Sequence, residues 1–415
     1  MKKALLILLA LGVVSLRAEG PKITVGGTFY TYGFFWNNMD FNSDSSDGDQ
    51  FYYAHGDIRV DADFGNGVTG RITAGAWGNI GQDPIYGSGP DPNIHLMEAY
   101  LTINNFLRLP VSFTIGKKHV LFGNGITIFD GGEDGYWQVM LEHAGDNYHL
   151  SVFDLRAIEG GGIQFLGLAG PGNMPESDKD ILGTYNTFTF GNLNVDLYGF
   201  YRVYGGDKPL WAGLRSYGSP ISGLNYSVEF AQMLGKYEGD ADTFNYKGNA
   251  AELVLNYSMN PFDFGVGAVY FSGDDMDTDD NEAFESVSNG PYTYGFYKWW
   301  PGFGPAHTLH TWYGFALLMP GEPFMTNLFT QNVHVGYQMS ALPLTVRLDF
   351  FNYMKNQVAS GQDKDLGKEV SLFALLHCMK TVHLGLAVGY FLPGKYLGED
   401  LDPMLGGYFF VFKSF

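Results

Sequence analysis

Residues 51–64 read Phe51-Tyr52-Tyr53-Ala54-His55-Gly56-Asp57-Ile58-Arg59-Val60-Asp61-Ala62-Asp63-Phe64. From Ala54 onward every even position is small or apolar, and His55, Asp57, Arg59, Asp61 and Asp63 occupy the odd ones. A period of two places the first set on one face of a strand and the second on the other. One face therefore wants an apolar surrounding while the other wants water. The same texture recurs along the chain. In 68–79, Val68, Ile72, Ala74 and Ala76 oppose Thr69, Arg71, Thr73 and Asn79. In 194–204, Val195, Leu197, Tyr201 and Val203 oppose Asn194, Asp196, Tyr198, Arg202 and Tyr204, and in 344–351 Leu344, Val346, Leu348 and Phe350 oppose Thr345, Arg347 and Asp349.

Alternation also suits a soluble sandwich, so the connections decide. Strands are predicted near 22–36, 51–64, 68–80, 93–104, 109–119, 135–144, 147–156, 181–191, 193–204, 210–218, 223–235, 244–257, 262–272, 329–340, 343–355, 366–378, 381–392 and 404–415. Tight turns at 65–67, 105–108, 145–146, 192, 219–222, 258–261, 341–342 and 379–380 alternate with longer, acidic or Gly-rich segments at 37–50, 81–92, 120–134, 157–180, 236–243, 273–328 and 393–403. Short periplasmic turns and long external loops are the asymmetry of transmembrane β-barrels. The fold expected is an all-β antiparallel barrel of about eighteen strands, sixteen being the nearest alternative, with both ends on the periplasmic side.

Composition agrees. Beyond the N-terminus no apolar run is long enough for a spanning helix, yet 45% of residues are hydrophobic, 16% are aromatic and Gly occurs 57 times. No linker interrupts residues 19–415, which read as a single domain. Lys2 and Lys3 precede the short apolar run 4–16, with Ala18 as a small residue for cleavage, so 1–18 read as a signal peptide. The single cysteine, Cys378, excludes an internal disulfide, and a closed hydrogen-bonded barrel in lipid needs none. The formal charge of −20 falls to −23 without Lys2, Lys3 and Arg17, which argues against nucleic acid as a partner. The chain closes on Tyr408-Phe409-Phe410-Val411-Phe412 and a terminal Phe415, the aromatic end by which barrels of bacterial outer membranes meet their assembly machinery. Outer-membrane lipid and lipopolysaccharide are the other partners expected, and no cofactor or metal is.

Several segments resemble the alginate export family of outer-membrane barrels. Leu96-Met97-Glu98-Ala99-Tyr100 followed by Ile115-Gly116-Lys117-Lys118 is similar to that family's strand pair ending in Gly-Arg-Gln, with Lys at both polar positions. Tyr226 to Gln232 resembles its Glu-x-x-x-Gln strand, and Ser272-Gly273-Asp274, with Phe284 following, its loop opening. Asp365-Leu366-Gly367-Lys368-Glu369 and Gly389-Tyr390-Phe391-Leu392-Pro393-Gly394 look like its last strands, although Ser371 stands where an acidic residue is common. The resemblance implies an eighteen-stranded, porin-like barrel that passes a polysaccharide or related anionic solute by diffusion.

Alternation points Arg59, Arg71, Arg202, Arg215, Lys247 and Arg347 inward, together with Asp57, Asp61, Glu98, Asp196, Glu229, Asp349 and Glu369; one of Lys117 and Lys118 joins them, taken as Lys118. Such charges either pair into ladders that stiffen the wall or set the charge preference of a pore. Inward Tyr198, Tyr204, Trp211 and Tyr217 are candidates to stack on sugar rings or to fill space, and Gly75, Gly213 and Gly367 suggest room inside. The segment 273–328 is too long for an idle connection. Its Trp299, Trp300 and Trp312, with Phe303, Tyr313 and Phe315, are placed at a constriction of the mouth, the alternative being a surface cap. Asp274, Asp275, Asp277, Asp279 and Asp280 lack the spacing of an EF-hand and read as a solvated loop. His119, His143, His307 and His310 show no spacing that fixes a base beside a nucleophile, so an enzyme is not expected. The reading reached is a passive outer-membrane channel, polysaccharide-exporting by resemblance, with a general porin for small solutes as the alternative.

Overall fold

The computed structural model describes residues 20–38, 41–44, 48–80, 93–129, 135–158, 179–239, 243–275, 277–287 and 326–415. The signal segment 1–18 and Trp299, Trp300, Trp312, His307 and His310 lie outside them. Eighteen strands form the wall: β1 (Lys22–Asn37), β2 (Asp49–Gly65), β3 (Val68–Ile80), β4 (Asn93–Ile103), β5 (Ser112–Lys118), β6 (Tyr136–Ala144), β7 (Tyr148–Ile158), β8 (Lys179–Phe190), β9 (Leu193–Val203), β10 (Asp207–Ile221), β11 (Leu224–Glu238), β12 (Asn249–Met259), β13 (Phe262–Phe271), β14 (Leu328–Gln338), β15 (Leu344–Met354), β16 (Asp365–Met379), β17 (Val382–Pro393) and β18 (Met404–Ser414). Each pairs antiparallel with the next, and β1 pairs with β18 from Thr28↔Ser414 to Asn37↔Leu405, so the sheet closes on itself. The predicted count and nearly all boundaries agree with this wall. A three-residue piece, Thr243–Asn245, pairs antiparallel with the end of β11 at Lys236–Glu238.

The turns follow local chemistry. Between β2 and β3, Asn66 and Gly67 both take positive φ (53° and 80°), the pair of left-handed residues that a two-residue hairpin requires. Along the strands the period of two becomes an inside and an outside. In β9, Leu197 is 45% exposed whereas its neighbour Asp196 is sealed. Exposed Ile58, Leu197, Leu214, Val266, Val333, Leu348 and Leu372 belong to an apolar outer belt. Phe190, Tyr257, Phe262 and Tyr337 ring its periplasmic edge, and Tyr52, Trp137, Tyr201 and Tyr390 its external edge. An apolar exterior with aromatic girdles on a sheet without edges is the surface a bilayer demands. Leu348→Arg, mid-strand on this belt, is accordingly expected to destabilise folding into phospholipid vesicles by about 2–4 kcal/mol in a guanidinium titration. Thr345→Arg, on the lumen side of the same strand, is expected to cost far less.

The interior is unevenly filled. Phe34, Tyr53, Phe351, Tyr353, Phe373, Phe391, Tyr408 and Phe410 are buried on the inner wall of β15–β18, β1 and β2. Phe41, from the connection after β1, packs on Phe391 with ring centroids 5.9 Å apart. The inward glycines, read from sequence as room inside, are seats for neighbours instead. A Cβ on Gly213 would collide with the ring of Tyr198, on Gly75 with Sδ of Met97, and on Gly367 with the ring of Phe391.

Candidate functional site: a charged lumen beneath an inward hairpin

After β5 the chain turns into the barrel. Leu121–Phe122 pairs with Ile128–Phe129, and Gly123 and Gly125, both at positive φ (61° and 83°), make the turn between them. Val120, Asn124, Ile126, Thr127 and Ile128 are buried. Phe122 stacks within 4.9 Å of Phe153 and Tyr185, from β7 and β8. The tip is clasped by polar groups of the far wall. The Asn124 backbone N–H donates to Glu229 Oε2 at 2.5 Å and its side-chain amide to Ser227 Oγ at 2.8 Å. Gly123 N–H donates to Tyr185 Oη at 3.0 Å, and the hydroxyls of Thr127 and Tyr198 lie 2.9 Å apart. Gly123 is forced by proximity, since a Cβ there would run into the Glu229 carboxylate.

A second stretch lies on this hairpin from the external side. Val287 N–H donates to Thr127 O at 2.8 Å, and Trp211 Nε1 donates to Glu285 O at 2.8 Å. Arg202 is sealed beneath it, bonded to Asp207 at 2.5 Å, 3.5 Å from Glu285 and over the Trp211 ring at 5.1 Å. Arg202 and Trp211 thus anchor the stretch and do not face an open path. The constriction predicted at Trp299, Trp300 and Trp312 lies outside the described residues, and among the described residues the hairpin at 119–129 is an inward element.

The remaining predicted lumen charges divide into three groups. On β2–β5, Arg71 bridges Asp61 at 2.6 Å and approaches Glu98 at 3.7 Å, while Arg59 reaches Asp61 from the other side at 3.1 Å. Thr73 Oγ1 donates to Glu98 at 3.0 Å, and Arg71 and Lys118 both lie over the Tyr100 ring, at 5.8 and 5.4 Å. Lys118 therefore faces the lumen, whereas Lys117 faces outward and donates to Leu96 O at 2.7 Å. Asp57 receives Thr28 Oγ1 and sits 3.3 Å from His55 Nε2.

The second group is an in-register row, Asp196↔Arg215↔Glu229↔Glu252, across β9–β12. Arg215 lies 3.3 Å from Asp196 and 3.9 Å from the Tyr217 ring centroid, and the Tyr185 hydroxyl donates to Asp196. In the third group Arg347 and Asp349 form a buried ion pair at 2.6 Å, supported by Asn332 at 3.1 Å. Glu369, on the neighbouring strand, accepts from Tyr353 at 3.2 Å and from Ser371.

Lys247 departs from its predicted inward position. The chain between 243–245 and β12 leaves the ladder, and Lys247 sits exposed in an external connection, paired with Asp280. Alternation could not be carried across that break. Asp280 also accepts from Asn245 at 2.8 Å, and Asp274 accepts the backbone N–H of Glu282 at 3.0 Å. Among the described residues no three His, Cys, Asp or Glu side chains converge on a metal position. His143 is bound between Pro110 O (2.5 Å) and Tyr148 Oη (2.9 Å). Sequence reasoning missed Gly123, Asn124, Tyr185 and Ser227. The signal was present in Gly123-Asn124-Gly125 flanked by Leu121-Phe122 and Ile126, an apolar hairpin inside an external connection.

No family model matches the chain, and no curated protein does. Solved structures do. A BenF-like porin from Pseudomonas fluorescens Pf-5 superposes with a TM-score of 0.61 at 10% identity, covering 95% of this chain and 98% of that one. Pseudomonas aeruginosa OccK2 (OpdF), solved in complex with glucuronate, gives 0.60 at 11% over 95% and 98%. Acinetobacter baumannii OccAB3 gives 0.61 at 8% over 95% and 99%. None of these three is described as an alginate exporter. At such identities the likeness establishes one thing: the chain shares the closed eighteen-stranded barrel of these porins.

Proposed function

We propose that the protein is an outer-membrane channel through which small polar solutes diffuse, with a preference for anions. The observation that carries this reading is the polar wall of β2–β5 opposite a hairpin that fills part of the cross-section. Exposure decides the sign of the preference. The Arg59 and Arg71 side chains are 45% and 31% exposed, whereas those of Glu98 and Asp57 are withdrawn to 8% and 11%. A solute passing this wall meets guanidinium groups, with Asp61 between them and Asp63, towards the turn, as the accessible carboxylates. Planar guanidinium forks suit carboxylates, and Tyr100 offers an apolar plate beside them.

The hairpin favours single sugars and small acids over a polymer, because 119–129 occupies section that a polysaccharide chain would need. The porin neighbours favour the same side, so the polysaccharide-export reading implied by the resemblance is the weaker one. A uronate is the first solute to test, since one neighbour was solved with glucuronate. The channel reading needs no catalytic group, and lipid would cover the apolar belt. Phe415, hydrogen-bonded at the β1–β18 seam through Gly27, stays the proposed end for recognition by assembly machinery.

The test is reversal potential in a planar bilayer under a potassium chloride gradient. Arg59→Glu, which reverses an exposed charge, is expected to lower the anion-to-cation permeability ratio by about threefold. Glucuronate is expected to reduce current in the parent more than glucose does. An unchanged ratio in the variant would remove the β2–β5 wall from the selectivity path.

A further inference from the structure

The periplasmic end of the lumen carries a feature that the channel reading does not use. β16 and β17 bring His377 and His383 into register as direct cross-strand neighbours near the turn that joins them. Their positions follow the inward phase of each strand, set by buried Phe373 and Leu375 on β16 and Ala387 on β17. The rings stand at 87° with centroids 4.8 Å apart, and their Nδ1 atoms are 2.8 Å apart. His377 is held by its backbone N–H on Pro343 O at 2.8 Å, and His383 packs on Phe412 at 5.9 Å. The two strands are flanked by β15 and β18, so neither imidazole sits on a free edge.

We propose that His377 and His383 form a chelating site at the periplasmic mouth for a divalent transition-metal cation that prefers square-planar geometry, copper(II) before nickel(II). The bite distance selects the geometry. Two imidazole nitrogens at about 2.0–2.1 Å from one ion are about 2.9 Å apart at a right angle and about 3.3 Å apart at the tetrahedral angle. The 2.8 Å separation of the hydrogen-bonded rings lies closer to the first, so a right-angle site needs the smaller opening. Copper(II) also heads the affinity order for nitrogen donors, and zinc(II), which favours the tetrahedron, fits less well. Without an ion the two Nδ1 atoms share one hydrogen, one ring donating and the other accepting. Binding requires the donating ring to move that hydrogen to Nε2, which frees its Nδ1 lone pair and releases no net proton from neutral rings; a rotation of each ring then aims both lone pairs at the ion. Lumen water fills the remaining positions. A bound ion adds two positive charges to the mouth, so cations entering from that side are repelled.

The experiment uses the full mature chain without an oligohistidine tag. Equilibrium dialysis against copper(II) chloride, with electron paramagnetic resonance of the bound ion, is expected to show one equivalent with two nitrogen donors. His377→Gln and His383→Gln are each expected to weaken binding by about tenfold or more, while His143→Gln, outside the pair, leaves it unchanged. Copper(II) binding unchanged in either pair variant, or zinc(II) bound more tightly than copper(II), overturns the proposal. Because a variant can fail to fold, the unmodified protein supplies the second measurement. Micromolar copper(II) on the side of the short turns lowers cation permeability reversibly with a chelator, and no effect from that side overturns the site.

Discussion

Replacing residues 121–128 by a short Gly-Ser-Gly link is expected to raise single-channel conductance by about threefold or more, because ionic current follows the narrowest section of the path. The hairpin fills part of the cross-section: Val120, Ile126 and Ile128 are buried, and Phe122 stacks on Phe153 and Tyr185 of the inner wall. Its loss removes that volume from the path. The barrel itself is expected to survive, since β5 and β6 pair directly from Ser112↔Glu142 to Lys118↔Tyr136 without help from the hairpin. Heat-modifiable mobility in detergent gels checks that survival. A folded deletion variant of unchanged conductance would mean that another section limits the current.

Glu229→Leu is expected to be the most damaging single substitution in the lumen. Glu229 is fully buried, accepts from the Tyr198 hydroxyl at 2.8 Å and the Asn124 backbone N–H at 2.5 Å, and stands in register with Arg215. Leucine leaves both donors without that acceptor and removes a negative charge from beside a guanidinium. A loss of about 2–4 kcal/mol follows from stranding buried donors of this kind. In current recordings the undocked tip is expected to appear as added open-channel noise. Glu229→Gln keeps one acceptor oxygen and is expected to cost less. A double-mutant cycle with Tyr198→Phe isolates the hydroxyl contact, with a coupling of about 1 kcal/mol or more expected. Additivity of the two substitutions would mean that Glu229 does not hold the tip through Tyr198.

Strand identity was legible because a membrane wall obeys one rule at every position. Leu197 must meet lipid and Asp196 must not, so period two survives in each strand whatever its neighbours do. The inward positions of Arg59, Arg71, Arg215 and Arg347 followed from the same rule. It failed where the ladder is interrupted: Lys247 lies beyond a break after 243–245, and phase cannot be counted through chain that is not paired. The hairpin was missed for another reason. External connections carry no periodicity, and the tryptophans of 273–328 are the stronger compositional signal, whereas the inward turn depends on small residues. Gly123 matters for the atoms it lacks beside Glu229, a property that only the folded neighbour reveals. Gly213, read as empty space, is the same lesson reversed, since Tyr198 occupies the hollow it leaves.

The seam where β1 meets β18 also sets a constraint in time. Thr28 and Ser414 are partners at opposite ends of the chain, so the first wall strand released waits for the last before either edge is satisfied. Throughout that wait two ladders of amides and carbonyls stand bare. Water tolerates them at the risk of pairing with a stranger chain, and hydrocarbon does not tolerate them at all. Synthesis and insertion are therefore not free to overlap as they are for a helical membrane protein, whose segments satisfy themselves one by one. This barrel exists in lipid only from the instant its circle is complete, and everything earlier needs custody.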